Sequence, residues 1–194
     1  MGFVLSVLPL ALPLFDMEPL HGSCVTLGDG ALLLLGPRGA GKSSLAAALD
    51  SAGFGLLTDD ACAIDGSGQL WPGPPILNPR WRDARQQVIG TYNGKSIRET
   101  RAHSPKPRTV TGVLSLVPQN GADPRVRGLS AGETLASVLG NVRGVDVLTI
   151  RRRALQLKVA ALLSRVPGGQ VGYDPECQQF DRVAEVVANW MSRL

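Results

Sequence analysis

The chain has 194 residues, 44% hydrophobic and 19% charged, about one domain's worth with enough apolar surface for a core; that balance excludes a disordered chain. The net charge is +4 and the pI about 9.3, but there is no zinc-finger spacing and no stripe of interleaved aromatic and basic residues, so nucleic acid is not an expected partner. Three cysteines, Cys24, Cys62 and Cys177, show no metal-ligand spacing and no even pairing, which fits a reduced, cytoplasmic protein better than a disulfide framework.

The N-terminus is apolar from Phe3 to Phe15, with Pro9 and Pro13 inside. It is too short to span a bilayer and no positive residue precedes it, so no membrane association is expected. Met1 to Ser6 fits the loose myristoylation pattern. The expectation for residues 1–20 is a broken helix packed on the domain.

Cys24–Thr26 and Ala31–Leu35 are apolar runs separated by Leu27-Gly28-Asp29-Gly30. Asp-Gly between such runs predicts a hairpin. Its second strand leads into Gly36-Pro37-Arg38-Gly39-Ala40-Gly41-Lys42-Ser43, the G-x-x-x-x-G-K-[ST] phosphate-binding pattern. A helix former, Ser43 to Asp50, follows. Strand–loop–helix is the setting that this motif requires. Its glycines let successive backbone N–H groups point inward. The helix N-terminus adds partial positive charge. Lys42 would reach the β- and γ-phosphates, and the Ser43 hydroxyl would sit on Mg²⁺.

Ala52-Gly53 predicts the helix stop. Leu56-Leu57-Thr58 then reads as a buried strand ending in Asp59-Asp60, 17 and 18 residues beyond Lys42. The helix and its turn return the chain, so these acids belong beside the loop. One carboxylate could orient Mg²⁺ through water and the other accept a proton. Adjacent strand residues point to opposite faces, so the two are expected to do different jobs. His21 precedes the hairpin, and an antiparallel hairpin places that point beside the start of the phosphate loop.

Further on, Cys62–Ile64 reads as extended, Asp65 to Gly68 as a turn, and Trp81 to Val88 as a short helix. Residues 89–109, carrying Lys95, Arg98, Arg101, Lys106 and Arg108, read as a long polar loop that is either a substrate or phosphate clamp or simply solvated. Val110–Val117 is a strand, Pro118–Arg127 a loop, and Gly169–Gly172 a short extended piece. Helices are predicted over 131–139, 155–163 and 177–194. Arg151-Arg152-Arg153 reads as a solvated helix start. The stripe of Phe180, Val183, Val186, Val187 and Trp190 reads as core.

Residues 21–64 resemble the catalytic core of the HPr kinase/phosphorylase family, serine kinases with a P-loop fold akin to phosphoenolpyruvate carboxykinase. The pieces are His21-Gly22, the hairpin, Gly36 to Ser43 and Leu57-Thr58-Asp59-Asp60, with 21 residues from His21 to Lys42 and 18 more to Asp60. The resemblance implies an α/β P-loop domain with a mixed sheet flanked by helices, using ATP (or another nucleoside triphosphate) and Mg²⁺. It places nucleotide on Gly36, Pro37, Arg38, Gly39, Ala40, Gly41, Lys42, Ser43 and Ser44, and metal on Ser43 and Asp59. Asp60 resembles the general base toward a serine hydroxyl, with His21, Lys42 and Asp59 beside it in the catalytic set. It also implies a homo-oligomer. The likeness covers about a quarter of the chain and loosens after residue 70. The family's N-terminal domain and its glycine-rich signature, with a second metal-binding acid, have no counterpart among these residues, so phosphorylase activity is not implied. The short form is most similar to stand-alone relatives found beside ribosomal-peptide gene clusters, including lasso-peptide kinases, which implies a precursor peptide or small protein as acceptor. Two alternatives stay open: a small-molecule hydroxyl kinase, disfavoured because such enzymes commonly carry Asp-x-Asp, and a non-catalytic nucleotide-binding regulatory module.

Overall fold

In a computed structural model, residues 10–77, 79, 87–92, 95–100, 102–143, 150–174 and 179–193 are described. The expected helix over 81–88 and the myristoylation pattern lie largely or wholly outside them.

Among the described residues there are twelve strands and four helices, and nine of the strands form a central mixed sheet. The hairpin forms as expected. β2 (Ser23–Leu27) pairs antiparallel with β3 (Gly30–Leu35) across the two-residue Gly28-Asp29 turn. On its other edge β3 lies parallel to β10 (Arg108–Pro118), so the strand entering the phosphate loop has one antiparallel and one parallel neighbour. β4 (Gly55–Thr58) pairs with β2 at the sheet edge. The far edge of β10 is shared. Its start pairs with β6 (Gln69–Trp71), and its later half runs parallel to β12 (Gly168–Tyr173). β1 (Met17–Leu20) and β5 (Cys62–Asp65) extend the sheet beyond β6, and β11 (Arg125–Leu129) extends it beyond β12.

The continuous apolar run of β3 follows from burial on both faces. Leu32 and Leu34 enter one core layer with Leu45 and Leu49 of α1 (Lys42–Ser51) and Val183 and Val187 of α4 (Phe180–Met191). Ala31, Leu33 and Leu35 enter the opposite layer with Val138 of α2 (Ala131–Leu139) and Val159, Ala160 and Leu163 of α3 (Ile150–Leu163). The period of two in β3 thus sorts its side chains between two helical layers.

Three expectations are corrected. Residues 10–20 do not form one helical segment. Leu12–Phe15 form a single 3-10 turn, Leu14 and Phe15 are exposed, and Met17–Leu20 form β1. Pro13 interrupts helical hydrogen bonding, and the chain then finds an open sheet edge at β5. The long loop over 89–109 is largely taken up by β8 (Val88–Tyr92) and β9 (Lys95–Glu99), which with β7 (Ile76–Leu77) form a second, three-stranded sheet in the order β7-β9-β8. Asn93-Gly94 between the paired Tyr92 and Lys95 is the hairpin signal that the polar composition concealed. The arginine run is not wholly solvated, because Arg152 is buried beside Glu18, at 3.7 Å.

Candidate active site

The phosphate loop leaves β3 where that strand ends between β2 and β10. Gly36, Gly39 and Gly41 all have positive φ, at 143°, 88° and 80°. Two of them also have no room for a side chain. A Cβ on Gly36 would lie 2.7 Å from the Leu116 carbonyl oxygen, and one on Gly41 would lie 2.6 Å from the Phe180 ring. The Tyr173 hydroxyl donates to the Ala40 carbonyl. The loop is therefore gripped from β10, β12 and α4 while Pro37, Arg38 and Gly39 stay exposed at its tip.

Lys42 is buried and turns back over the loop. Its Nζ donates to the carbonyls of Gly36 at 2.7 Å and Pro37 at 3.0 Å. Burial pulls its pKa down, and the charges of Asp59 and Asp60 work against that shift.

β4 delivers the two acids. It ends at Thr58, so both lie in the bend after it, which the Thr58 hydroxyl pins by donating to Ala61 O at 2.8 Å. Their side chains diverge because Asp60 adopts a left-handed φ of 73°, rather than through strand pleating as expected. Aspartate is among the few residues that tolerate this conformation. Asp59 Oδ1 accepts from the Ser43 hydroxyl at 2.9 Å, from the Asp60 N–H at 3.0 Å and from the Ser23 hydroxyl. Three donors on one oxygen fix the carboxylate against the first turn of α1.

Asp60 faces the other way, to His21 and Arg143. Arg143 Nη2 donates to Asp60 Oδ1 at 2.8 Å. His21 Nδ1 lies 3.4 Å from the same oxygen, 3.2 Å from the Asp60 carbonyl and 2.6 Å from Arg143 Nη2. A guanidinium has only hydrogens to offer, so Nδ1 cannot accept from Arg143 and donate to Asp60 at once. With the proton on Nδ1, His21 and Arg143 both donate to the Asp60 carboxylate. The hydrogen bond with His21 and the charge of Arg143 hold the Asp60 carboxyl below its usual range, and burial opposes them.

Sequence reading missed Arg143, Asn141 and Ser23. A capping box of Ser130 and Glu133 starts α2. Beyond its end, residues 141–143 run antiparallel to residues 19–21. His21 N donates to Asn141 O at 2.7 Å, Arg143 N donates to Pro19 O at 3.0 Å, and Leu20 bridges Val142. The Asn141 side chain then accepts from the Gly36 N–H at 3.1 Å and donates to Ser137 O at 2.8 Å. Beneath it, Arg152 donates to the Arg143 carbonyl.

Among the described residues, Arg98 and Arg108 of the basic segment do not converge on the phosphate loop. Arg98 is buried, and Arg108 pairs at 3.0 Å with Asp29. Asp29 is at the hairpin tip, and β3 separates it from the loop. The Lys95 side chain and Arg101 lie outside the described residues.

The donor set fits nucleotide and magnesium. Hydroxyl and carboxylate oxygens from Ser43 and Asp59 converge, and the glycine cradle leaves its backbone uncovered. Among the described residues no group of three or more His, Cys, Asp or Glu side chains forms a metal cage. No helix among them is long and apolar enough to cross a membrane.

No protein-family model matches the chain, and a comparison with curated proteins finds no match. Among solved structures the chain is similar to the Hpr(Ser) kinase/phosphatase from Coxiella burnetii, with 17% identity and a TM-score of 0.47 over 91% of this chain and 92% of that one.

Proposed function

We propose that the chain is an ATP- and Mg²⁺-dependent kinase that transfers the γ-phosphoryl group to a serine-type hydroxyl of a peptide or small protein. One observation carries the reading: the phosphate loop and two differently partnered carboxylates meet at one point, Asp59 on Ser43 and Asp60 on Arg143. Phosphoryl transfer asks the protein mainly for positioning and charge neutralisation. The loop N–H groups and Lys42 hold the phosphates, and Lys42 exchanges its two loop carbonyls for phosphate oxygens as it does so. Ser43 and Asp59 would hold Mg²⁺, which would neutralise phosphate charge. Asp60, ionised at neutral pH, accepts the proton of the acceptor hydroxyl as its oxygen attacks. Arg143 and His21 orient that carboxylate.

Asp60→Asn tests the assignment. Loss of the base should lower transfer by about 10²–10⁴-fold while nucleotide binding stays near wild type. Wild-type transfer by this variant removes Asp60 from the role. A second reading, a nucleotide-binding regulatory module, draws on the ion pair that holds Asp60 to Arg143 and weakens it as a base. Nucleotide binding without hydrolysis or transfer to any acceptor peptide would select it.

A further inference from the structure

The parallel strands β3, β10 and β12 end along one edge of the sheet. β3 ends in the phosphate loop. β12 ends at a cavity of about 120 Å³ whose far side is formed by the segment after β10; its walls include Ala122, Pro124, Tyr173 and Val183, with Asp123 and Arg182 paired across 3.2 Å. Tyr173 joins the two places, since it lines the cavity and its hydroxyl holds Ala40 of the loop. Ligands of open α/β sheets collect outside the carboxyl ends of such strands.

We infer that this cavity takes the base of the donor nucleotide. The inference rests on the donor-site reading above and is independent of the acceptor. Size limits what it admits: pockets for drug-sized ligands run to roughly 300–1,000 Å³, whereas this open cavity of about 120 Å³ admits part of one flat ring system with the rest left in solvent. Chemistry favours a base with an exocyclic amine. Ala122, Pro124 and Val183 on its apolar side receive a ring face, the Arg182 guanidinium can lie flat against the ring, and the Asp123 carboxylate accepts from the amine. The wall is also formed in advance. Gln119 N donates to Tyr173 O at 2.8 Å, Ala122 N to Gln119 O at 3.1 Å, and Gly121 N to Asp174 Oδ2 at 3.0 Å. Gly121 takes the left-handed turn, at φ 71°, that this path needs. A wall held in place before binding costs little ordering when the ligand arrives.

The test compares ATP, UTP and inorganic tripolyphosphate, each with Mg²⁺, by calorimetry. Wild type should bind ATP at least about tenfold more tightly than tripolyphosphate, a difference of about 1.4 kcal/mol. Ala122→Trp, which fills the cavity, should remove that advantage and leave tripolyphosphate binding unchanged, which also reports that the variant is folded. Asp123→Ala, at an exposed position, should shrink the preference for ATP over UTP. Equal wild-type affinity for ATP and tripolyphosphate, or unchanged ATP binding by Ala122→Trp, overturns the base subsite and leaves the phosphate loop standing. Wild type that binds neither compound overturns both.

Discussion

Arg143 Nη2 lies 2.8 Å from Asp60 Oδ1 although 83 residues of chain separate them. The contact ties the carboxylate assigned as base to a segment that enters the site only because residues 141–143 pair with residues 19–21. A cation at this distance favours the charged form of the carboxyl. It makes Asp60 a weaker base but keeps it ionised far below neutral pH, and it fixes the direction from which a hydroxyl can approach.

A pH dependence follows from this pair. Asp60 can accept a proton only when ionised, and its pKa is depressed by the hydrogen bond with His21 and the charge of Arg143. Transfer should therefore persist as pH falls and be lost only as pH drops through that depressed value. Removing the guanidinium raises the pKa, so in Arg143→Ala the acidic limb of the kcat/KM profile should move to higher pH. His21→Ala should move it in the same direction. A limb that stays put in both variants would show that another group controls it.

Asp59 should behave differently. It supports the Ser43 hydroxyl, and losing such a partner typically costs about 10–100-fold in metal affinity. Asp59→Asn should raise the Mg²⁺ concentration needed for half-maximal transfer by that factor, with the acidic limb unmoved. A magnesium titration overlaying that of wild type would detach Asp59 from the metal.

The glycines of the loop are not equivalent. A Cβ on Gly39 meets nothing within 4 Å, so Gly39→Ala should cost only the left-handed conformation, about 1–2 kcal/mol. Gly41→Ala carries that cost and also drives its methyl into Phe180 and Tyr173. Phe180 or the loop must then shift, and the phosphate cradle with it. Urea unfolding and nucleotide titration should both rank Gly41→Ala well below Gly39→Ala. Equal behaviour would mean that α4 does not brace the loop.

What could be read from the sequence was what is local in it. The hairpin, the phosphate loop and Asp59-Asp60 lie within some forty residues, and each carries a turn or motif whose chemistry is short-range. Arg143 and Asn141 carry no such signal. They follow a helix without a motif, and they reach the loop because an open edge at Pro19–His21 accepts them. The cavity beside Tyr173 is likewise a product of strand order, since β12 joins β10 across a long stretch of chain. The second sheet was legible in principle through Asn93-Gly94, but Gly90 interrupts β8, and β9 is mostly polar.

The deepest support of the site is a buried charge pair. Glu18 is fully buried, Arg152 nearly so, and the two lie 3.7 Å apart. Gln156 also donates to Glu18, and Arg152 donates to the Arg143 carbonyl. Removing one partner of such a pair leaves an uncompensated charge and costs about 3–5 kcal/mol, so Arg152→Met should destabilise the fold by that order. Burial already pushes the Glu18 carboxyl up. A group whose folded pKa is raised stabilises fully below its unfolded pKa, and that stability is lost as pH rises through the folded one. Without Arg152 the pKa of Glu18 rises further, so the penalty should be largest at neutral pH and shrink in mild acid, where Glu18 takes a proton. Urea unfolding at the two pH values measures this, and an equal penalty at both would exclude Glu18 as its source. Glu18→Leu combined with Arg152→Met removes the stranded charge and should recover most of the stability. Transfer should stay low in the double variant, because the Arg143 carbonyl still lacks its donor and the guanidinium on Asp60 is no longer held from behind.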